Sequence, residues 1–398
     1  MRILLINTFC GVTSTGRICM ELAQAYEKEG NEVRIAYGRD DKGVLDQCAE
    51  YSLRIGTNMD VKLHGLKTRI FDAHGFGSTR ATRTFLKWVD EFKPDVVHLH
   101  NLHGYYINIR LLFEYLKKHD IPTVWTLHDC WPMTGHCSYF SAVGCERWQS
   151  SCYDCPQKKA YPSSSCFDRS RENYQRKSKL FTGMENMTIV TPSAWLASIV
   201  QQSYLRVYPT EVIHNGIDTT VFQPTESDVR VHFGLEGRKI ALGVASGWGE
   251  RKGLSYLKRM SRDLPENWKV VIIGLTDEQL VDIPSNMIGI KRTNNANELA
   301  AWYTAADVFV NPTLEDNYPT TNLEAQACQT PVVTFNSDGA PETVMDGGGI
   351  VVERENYDAL LKATLEAAEL KGRLEMVSVK DKRFVGGEYL ALFSKMLL

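Results

Sequence analysis

Three features are scarce in this sequence: long apolar runs, an excess of one charge, and the glycine pattern of dinucleotide binders. No apolar run reaches the roughly 18 residues that a membrane-spanning helix needs, so no span is predicted. The 45 Lys and Arg residues nearly balance the 48 Asp and Glu residues, for a net charge of −3. The global signature of a nucleic-acid binder is therefore missing, and we expect no nucleic-acid partner.

The N-terminal residues are too polar for a targeting segment. The short apolar run 3–6 is followed directly by Asn7 and Thr8, which predicts a first β-strand and no signal peptide. We therefore expect a cytoplasmic protein. In that compartment thiols stay reduced, so the ten cysteines are not automatically disulfides.

The length of the chain predicts more than one domain. Its 398 residues are more than a domain with a single hydrophobic core usually contains, and they suit two domains of about 150–200 residues each. A hydrophobic content of 43% and a charged content of 23% are typical of a globular protein.

Strand and helix patterns alternate along the whole chain. In the first half, apolar runs at 3–6, 33–37, 95–100 and 123–128 predict strands, and 16–29 has helical spacing. In the second half, strands are predicted at 240–245, 270–273, 308–310, 332–335 and 349–352, with helices at 253–260 and 298–305. This α/β alternation predicts parallel sheets, because parallel neighbours need long crossovers.

The two halves predict two doubly wound domains facing a central cleft. We place the first domain at 1–205 and the second at 206–382, with a closing helix at 383–398 that packs back on the first domain. A cysteine-rich insertion occupies about 130–166. Ligands of open α/β sheets bind beyond the carboxyl ends of the strands, so those ends should hold the site.

The loop after the first strand has its own glycine pattern. It begins with Gly11 and ends with Gly16, and it is not Gly-x-Gly-x-x-Gly. Glycines let a backbone approach a ligand closely, and helix N-terminal amides favour a phosphate. The loop is therefore a candidate phosphate site, with a plain turn as the alternative. Asp40 lies near the end of the second strand but not clearly at it, which weakens the prediction of a dinucleotide site.

Two segments of the second half carry side chains suited to a nucleotide sugar. Arg251 and Lys252 lie at a strand-to-helix turn, where a cation can neutralise a diphosphate leaving group, unless the turn is simply a solvated basic surface. The carboxylates of 315–324 follow another strand and can bind sugar hydroxyls. Residues 320–322 can cap the next helix and offer amides to a phosphate. A capped helix with surface acids is the alternative.

With these motifs, the chain resembles the retaining glycosyltransferases of family 4, which have the GT-B fold of two Rossmann-like domains. The match runs nearly from end to end, and the order and spacing of its motifs are specific. The motifs are 94–100, 127–129, 191–193, 215–218, 251–253, 306–308 and 323–333. The segment 127–156 resembles a narrower branch that acts in bacterial exopolysaccharide and O-antigen assembly, including colanic-acid enzymes.

The resemblance implies roles for residues of the second domain. The family has a pair of glutamates at the spacing of 316 and 324, and Glu324 matches the one that holds the nucleotide ribose. Asp316 takes the other position, where it would contact the donor sugar ring with a shorter side chain. Lys252 matches the lysine at the diphosphate. The family's arginine falls on Gly247, and we expect Arg251 to compensate.

The same resemblance implies the remaining donor contacts. The family's glycine-bearing loop is replaced by Asn317 and Tyr318, followed by Pro319, and this departure leaves the identity of the donor sugar open. Thr320 and Thr321 lie where the helix amides would meet the diphosphate.

In the first domain, the resemblance implies a reacting centre at His128. The matching family histidine lies near the donor sugar, and Asp129 follows it as its usual companion. From the residue alone, His128 is more often a satisfied histidine than a catalytic one. The family reaction moves a sugar from a nucleotide-diphosphate donor with retention of anomeric configuration, and it generally needs no catalytic divalent metal. The family's acceptors are often glycans or lipid-linked saccharides.

Six of the ten cysteines lie between 130 and 166. Four of them, Cys137, Cys145, Cys152 and Cys155, supply the sulfurs that tetrahedral structural zinc prefers, with His136 as another possible ligand. Reduced buried thiols are the next interpretation, and disulfides are the last.

The segment 61–89 is basic and interleaved with apolar residues. It contains one acid, Asp72, and six basic residues: Lys62, Lys67, Arg69, Arg80, Arg83 and Lys87. This composition predicts either peripheral docking on anionic lipid at the inner face of the cell membrane or a solvated basic face.

Two other classes of function stay open at this point. A non-hydrolysing nucleotide-sugar epimerase would consume the donor without an acceptor. A non-catalytic nucleotide-sugar-binding protein would bind the donor without transfer, and the departures at Asp316 and Gly247 leave room for it. A dehydrogenase is disfavoured by the weak pattern of the first loop.

Overall fold

The structure is a computed structural model, which describes residues 1–40, 48–372 and 377–398. The described chain forms two compact units. Unit one comprises Met1–Ile213 and Arg383–Leu398, and unit two comprises His214–Lys382. Unit two thus begins a few residues after the boundary that we placed at 205.

Unit one is built on a seven-stranded parallel sheet. Its strands are β1 (Arg2–Asn7), β2 (Glu32–Tyr37), β3 (Ser52–Arg54), β4 (Val96–Leu99), β5 (Thr123–Thr126), β6 (Met187–Thr191) and β7 (Thr210–Val212). The spatial order is β3-β2-β1-β4-β5-β6-β7, so the winding reverses between β1 and β4. The central strands are buried along their length, which explains their continuous apolar runs.

Helices flank this sheet. They are α1 (Thr13–Lys28), α2 (Asn58–Phe71), α3 (Thr79–Phe92), α4 (Ile109–His119), α5 (Ser170–Phe181) and α6 (Ala194–Gln202). Side chains cap several of them: the Asn108 side chain accepts from the Leu111 amide at α4, and Thr57 and Asp60 form a capping box at α2.

Unit two repeats this architecture with a six-stranded parallel sheet. Its strands are β8 (Lys239–Val244), β9 (Trp268–Ile273), β10 (Met287–Ile290), β11 (Val308–Asn311), β12 (Val332–Phe335) and β13 (Gly349–Val352). Its helices are α7 (Val229–His232), α8 (Leu254–Asp263), α9 (Asp277–Val281), α10 (Ala296–Ala305), α11 (Thr320–Ala327) and α12 (Tyr357–Ala368). The order β10-β9-β8-β11-β12-β13 reverses between β8 and β11.

The closing helix α13 (Lys382–Met396) packs against unit one. Val385, Tyr389 and Phe393 share one buried stripe at helical spacing. The Tyr389 hydroxyl lies 2.9 Å from Thr126 Oγ1. At Gly386, a Cβ would come within 2.4 Å of Ala25 Cβ on α1, so the close approach of the two helices requires glycine there.

The predicted fold class is confirmed: both units are doubly wound, Rossmann-like domains. The cleft between them stays a prediction. Among the residues that the structure describes, each helix is too short or too polar to serve as a membrane-crossing segment.

Candidate functional site

The first candidate site lies in unit two, where the winding of the sheet reverses. The loop after β8 carries Arg251 and Lys252, and the loop after β11 carries 312–319. Ligands of open α/β sheets bind at such a reversal, beyond the carboxyl ends of the two strands. The order of the strands therefore brings together two loops that are far apart in sequence.

Backbone contacts hold these two loops against each other. The Leu314 amide donates to the Arg251 carbonyl over 2.8 Å. Gly253 has a φ of +75°, and a Cβ there would lie 2.1 Å from the Pro312 carbonyl oxygen. Only glycine satisfies both demands. Any side chain at 253 would separate the loops.

Charged side chains of the two loops pair directly. Lys252 Nζ forms an ion pair with Asp316 Oδ2. Arg251 Nη1 donates to the Glu315 carbonyl over 2.8 Å. The Lys252 and Asp316 side chains are partly exposed, so a ligand can reach them from solvent. The structure thus brings together three of the predicted site residues, while the Glu315 side chain is buried.

The loop residues after Asp316 are mostly buried. Asn317 and Tyr318 are both packed inside, and the Tyr318 ring stacks on His214 with centroids 5.1 Å apart and planes 14° apart. Burial raises the pKa of Tyr318 above its ordinary value. Both residues are therefore largely enclosed by the protein, and their predicted contact with the donor stays a prediction.

The predicted cap of α11 is wrong in its residues. Pro319 is the N-cap, and Thr320 and Thr321 are the first helical residues, so they cannot cap in the usual way. Asn322 is buried in a network instead: it accepts from Asn311 Nδ2 and donates to Thr343 Oγ1, each over 2.8 Å. A proline at the N-cap offers no side-chain acceptor, and the Asn322 amide donates to the Pro319 carbonyl over 3.1 Å, so the amides of Thr320 and Thr321 are the candidates for a phosphate.

Glu324 lies on α11 with an oriented carboxylate. The Tyr303 hydroxyl, from α10, donates to Glu324 Oε2 over 2.9 Å. Burial, and then the Glu324 charge, raise the pKa of Tyr303 well above its ordinary value, so it stays a donor. Sequence reasoning missed Tyr303 and His214. Tyr303 lies in the helix predicted at 298–305, where it counted only as an apolar position. His214 lies outside every motif identified in the sequence.

The glycine loop of unit one is closed on itself. The Gly11 amide donates to the Gly16 carbonyl over 3.0 Å, and Gly11 has a φ of +70°. Gly16 is buried, and a Cβ there would lie 3.2 Å from the Phe9 carbonyl oxygen. The Gly11 amide is therefore already hydrogen-bonded within the turn. The phosphate site at this loop stays a prediction.

The second candidate site lies in unit one, beyond β4 and β5. His128 Nε2 lies 2.9 Å from His100 Nδ1, and the two rings stack with planes 12° apart. Burial lowers the pKa of His128 to about 4, so its imidazole is neutral near pH 7. A neutral imidazole can accept or donate a hydrogen bond, but it cannot serve as a cation for a leaving diphosphate.

Asp129 has a different histidine partner. Its Oδ2 lies 2.7 Å from His103 Nε2, and its Oδ1 accepts from the Trp131 amide over 2.9 Å. Burial alone would raise the pKa of Asp129, but His103 and these hydrogen bonds hold it below its ordinary value. Asp129 is therefore a buried carboxylate. Sequence reasoning missed His100 and His103, although both follow β4 at the edge where ligands bind.

The cysteine-rich insertion packs into the main core of unit one through Cys137, Phe140, Trp148 and Cys152. One small cavity is lined by all four predicted zinc ligands and His136. The Cys137 thiol hydrogen-bonds to Cys155, and this bond lowers the pKa of Cys155 to about 7.

The predicted zinc site does not have a formed ligand set. His136 Nδ1 pairs with buried Asp72 over 2.6 Å, and the Gly135 amide donates to Cys152 Sγ over 3.2 Å. Within residues 1–40, 48–372 and 377–398, no group of three or more His, Cys, Asp or Glu side chains is placed to hold a metal ion. All ten cysteines are free thiols. The zinc stays a prediction.

The sequence of this chain matches two family models of glycosyltransferases. Residues 15–221 match the family model described as "Glycosyltransferase Family 4", and residues 238–369 match the one described as "Glycosyl transferases group 1". The two matches cover both candidate sites.

Two curated relatives illustrate the range of similarity. The chain is 26% identical over 374 residues to the "Putative colanic acid biosynthesis glycosyl transferase WcaC" of Escherichia coli (strain K12), covering 91% of this chain and 90% of that protein. It is 28% identical over 211 residues to the "Alpha-maltose-1-phosphate synthase" of Mycolicibacterium smegmatis, covering 47% of this chain and 54% of that protein.

Solved structures share the fold across the whole chain. Sucrose-phosphate synthase from Thermosynechococcus elongatus superposes with a TM-score of 0.74 at 15% identity, covering 99% of this chain and 98% of that one. Anabaena Alr3699/HepE in complex with UDP-glucose gives 0.63 at 14% identity, covering 99% of this chain and 100% of that one. At these identities the similarity shows the fold alone.

Proposed function

This chain belongs to glycosyltransferase family 4, and on that premise we propose that it moves a hexose from a nucleotide-diphosphate sugar to a glycan or lipid-linked saccharide. The product would be part of a bacterial surface polysaccharide, as the name of the Escherichia coli relative suggests. One observation carries the proposal: two loops meet where the winding of unit two reverses, and they bring Lys252 against Asp316.

Each side chain of this meeting point has a part in holding the donor. Lys252 and Arg251 offer positive charge to the diphosphate, and the first-turn amides of α11 add theirs. Asp316 accepts hydrogen bonds from hydroxyls of the donor sugar. Glu324 accepts those of the ribose, in the orientation that the Tyr303 hydroxyl fixes.

The ion pair between Lys252 and Asp316 gives the site a resting state. Each residue neutralises the other until the donor binds. The diphosphate then pairs with Lys252, and a hydroxyl of the donor sugar donates to the Asp316 carboxylate. Neither charge then has to be left unpaired at any stage, which keeps the desolvation penalty small. Charge that develops on the leaving diphosphate is stabilised by groups already in place.

We propose that no catalytic metal is required, because two side-chain cations and a helix N-terminus supply positive charge for the leaving group. His128, neutral and held by His100, would contact the donor sugar near the reacting carbon. Retention of anomeric configuration is proposed from the family resemblance, with attack of the acceptor hydroxyl on the face that the diphosphate leaves.

A peripheral contact with an anionic membrane is part of the proposal. Helix α2 exposes Met59, Leu63 and Leu66 at helical spacing, with exposed Lys62 and Arg69 beside them. An apolar stripe flanked by cations suits the surface of an anionic bilayer, where a lipid-linked acceptor would reside.

Vesicle co-sedimentation tests this contact. A Leu63→Glu and Leu66→Glu double variant should lose binding to phosphatidylglycerol vesicles at low salt. The control is Val281→Glu, because Val281 is also an exposed apolar residue but belongs to unit two. This variant should bind the vesicles like the wild type. Equal binding by all three proteins would contradict the contact.

A thermal screen against nucleotide sugars tests the donor assignment. A panel of UDP-glucose, UDP-galactose, GDP-mannose and GDP-fucose covers two bases and several hexoses. A ligand present at 100 times its Kd adds about 2.7 kcal/mol to stability. At roughly 2–4 °C per kcal/mol for a domain of this size, the melting temperature should rise by about 5–10 °C. No shift with any nucleotide sugar, nor with UDP or GDP, would contradict it.

A further inference from the structure

Three functional groups form a hydrogen-bonded line at the strand ends of unit one. Asp129 Oδ2 lies 2.7 Å from His103 Nε2, and His103 Nδ1 lies 3.0 Å from the Tyr161 hydroxyl. Asp129 follows β5, His103 follows β4, and Tyr161 belongs to the cysteine-rich insertion. The winding of the sheet reverses between β1 and β4, so the line lies beside the edge where a ligand would bind.

The direction of the hydrogen bonds follows from the buried end. Asp129 is a carboxylate and can only accept, so His103 Nε2 must carry the proton of that bond. In the neutral imidazole, Nδ1 then holds a lone pair and accepts from the Tyr161 hydroxyl. The phenol oxygen keeps its own lone pairs free to accept a further hydrogen bond.

Aromatic rings hold Tyr161 in this position while leaving it open to solvent. Its ring packs against His74, His103 and Tyr105, with centroids 5.7, 5.5 and 6.1 Å away. The residue is nevertheless 43% exposed. A rigid phenol with a partly exposed ring suits a saccharide. Its hydroxyl can hydrogen-bond to a sugar hydroxyl, and its ring can pack against an apolar C–H face of the sugar.

We propose that Asp129, His103 and Tyr161 form a proton relay for the acceptor saccharide, in which Tyr161 touches the reacting hydroxyl and the other two are positioning residues. The inference rests on the proposed function. The acceptor hydroxyl gives its proton to the Tyr161 oxygen while the Tyr161 proton moves to His103 Nδ1. The acceptor oxygen forms the bond to the anomeric carbon, and the bond from that carbon to the diphosphate breaks with its electrons on the diphosphate. The resulting imidazolium is stabilised by the Asp129 carboxylate.

Two isosteric substitutions test the relay. Tyr161→Phe removes the hydroxyl that lies 3.0 Å from His103 Nδ1 and would pass the proton on. Asp129→Asn keeps an oxygen for the Trp131 amide but turns an amide donor toward His103, which moves the imidazole proton to Nδ1 and reverses the relay. Each variant should lower kcat for transfer by about 100-fold or more, which is the usual contribution of a positioned acid or base. The Kd for the donor should stay within about twofold in both.

The assay uses the full chain with the donor that the thermal screen selects and a panel of p-nitrophenyl hexosides as acceptor probes. Tyr153→Phe is the matched control, because Tyr153 lies in the same insertion and is 44% exposed. Its contact with Arg147 is to the ring, which phenylalanine retains. It should transfer at the wild-type rate.

The outcomes separate the relay from the function on which it rests. If the wild type transfers and Tyr161→Phe transfers within threefold of it, the relay is wrong and the glycosyltransferase stands. If kcat falls together with donor affinity and melting temperature, the residue is only structural, and the relay is also wrong. If the wild type turns over no nucleotide sugar, the proposed function fails first, and the relay fails with it. Tyr161→Phe decides the matter should Asp129→Asn not fold.

Discussion

Lys252→Ala should slow sugar transfer far more than it destabilises unit two. The lysine side chain is 22% exposed and its partner Asp316 is 16% exposed. Partly exposed ion pairs contribute about 0.2–1 kcal/mol to stability. At roughly 2–4 °C per kcal/mol, the melting temperature should therefore fall by no more than about 4 °C.

The effect on turnover is expected to be much larger. Loss of one preorganised donor to a developing negative charge costs about 2.7–4 kcal/mol, a factor of roughly 100–1,000 in kcat. Asp316 would also be left without its cation and would repel the diphosphate, so the donor KM should rise as well. The assay measures release of the nucleotide diphosphate over a range of donor concentrations, together with thermal unfolding of each variant.

A matched control lies on the neighbouring helix. Lys258 is 21% exposed and forms an ion pair with Asp282 over 2.8 Å, and it lies within α8, outside the two loops of the site. Lys258→Ala should lose a similar amount of stability and keep its turnover. If Lys252→Ala turns over within threefold of the wild type, or if Lys258→Ala falls as far, the role given to Lys252 is refuted.

The remaining predictions concern three other groups. Tyr303→Phe leaves Glu324 without its oriented donor and should raise the donor KM about tenfold, since a hydrogen bond to a charged group contributes roughly 1.5–3 kcal/mol; an unchanged KM would count against Glu324 as the ribose ligand. Burial lowers the pKa of Lys177 to about 7, below its ordinary value in the unfolded chain, so the unfolded state binds more protons between pH 7 and 10. Stability of the wild type relative to Lys177→Met should therefore increase as pH rises through that range, and equal slopes in denaturant titrations would contradict it. Elemental analysis should find about one zinc per chain if the four insertion cysteines bind it, and a metal content well below that, with no effect of chelator on melting, removes the prediction.

Much of the candidate donor site could be predicted because its residues are local to strand ends. Lys252 and Asp316 each follow an apolar run, and parallel strands deliver their carboxyl ends to one edge. The strand order that places β8 beside β11 then makes them neighbours. The α/β class followed from the same alternation.

The pairings that orient the site depend on packing between distant segments. Tyr303 reaches Glu324 from a different helix, and His103 reaches Asp129 from a different strand end. Neither pair has a local pattern, because each depends on how two elements are rotated against each other. The proline cap of α11 was missed for a related reason, and the sequence left the Gly11 loop open between a phosphate site and a plain turn. Backbone hydrogen bonds are not specified by glycine and threonine spacing alone.

The most direct test of the account follows the sugar itself. Wild-type protein is incubated with the selected nucleotide sugar and a bacterial lipid-linked saccharide, and proton NMR records the anomeric signals over time. The account predicts a new glycosidic signal that grows as fast as the donor signal disappears. Loss of the donor without an acceptor and without a new glycosidic bond would indicate an epimerase or a hydrolase. A donor that binds but is never consumed would contradict the assignment as a transferase.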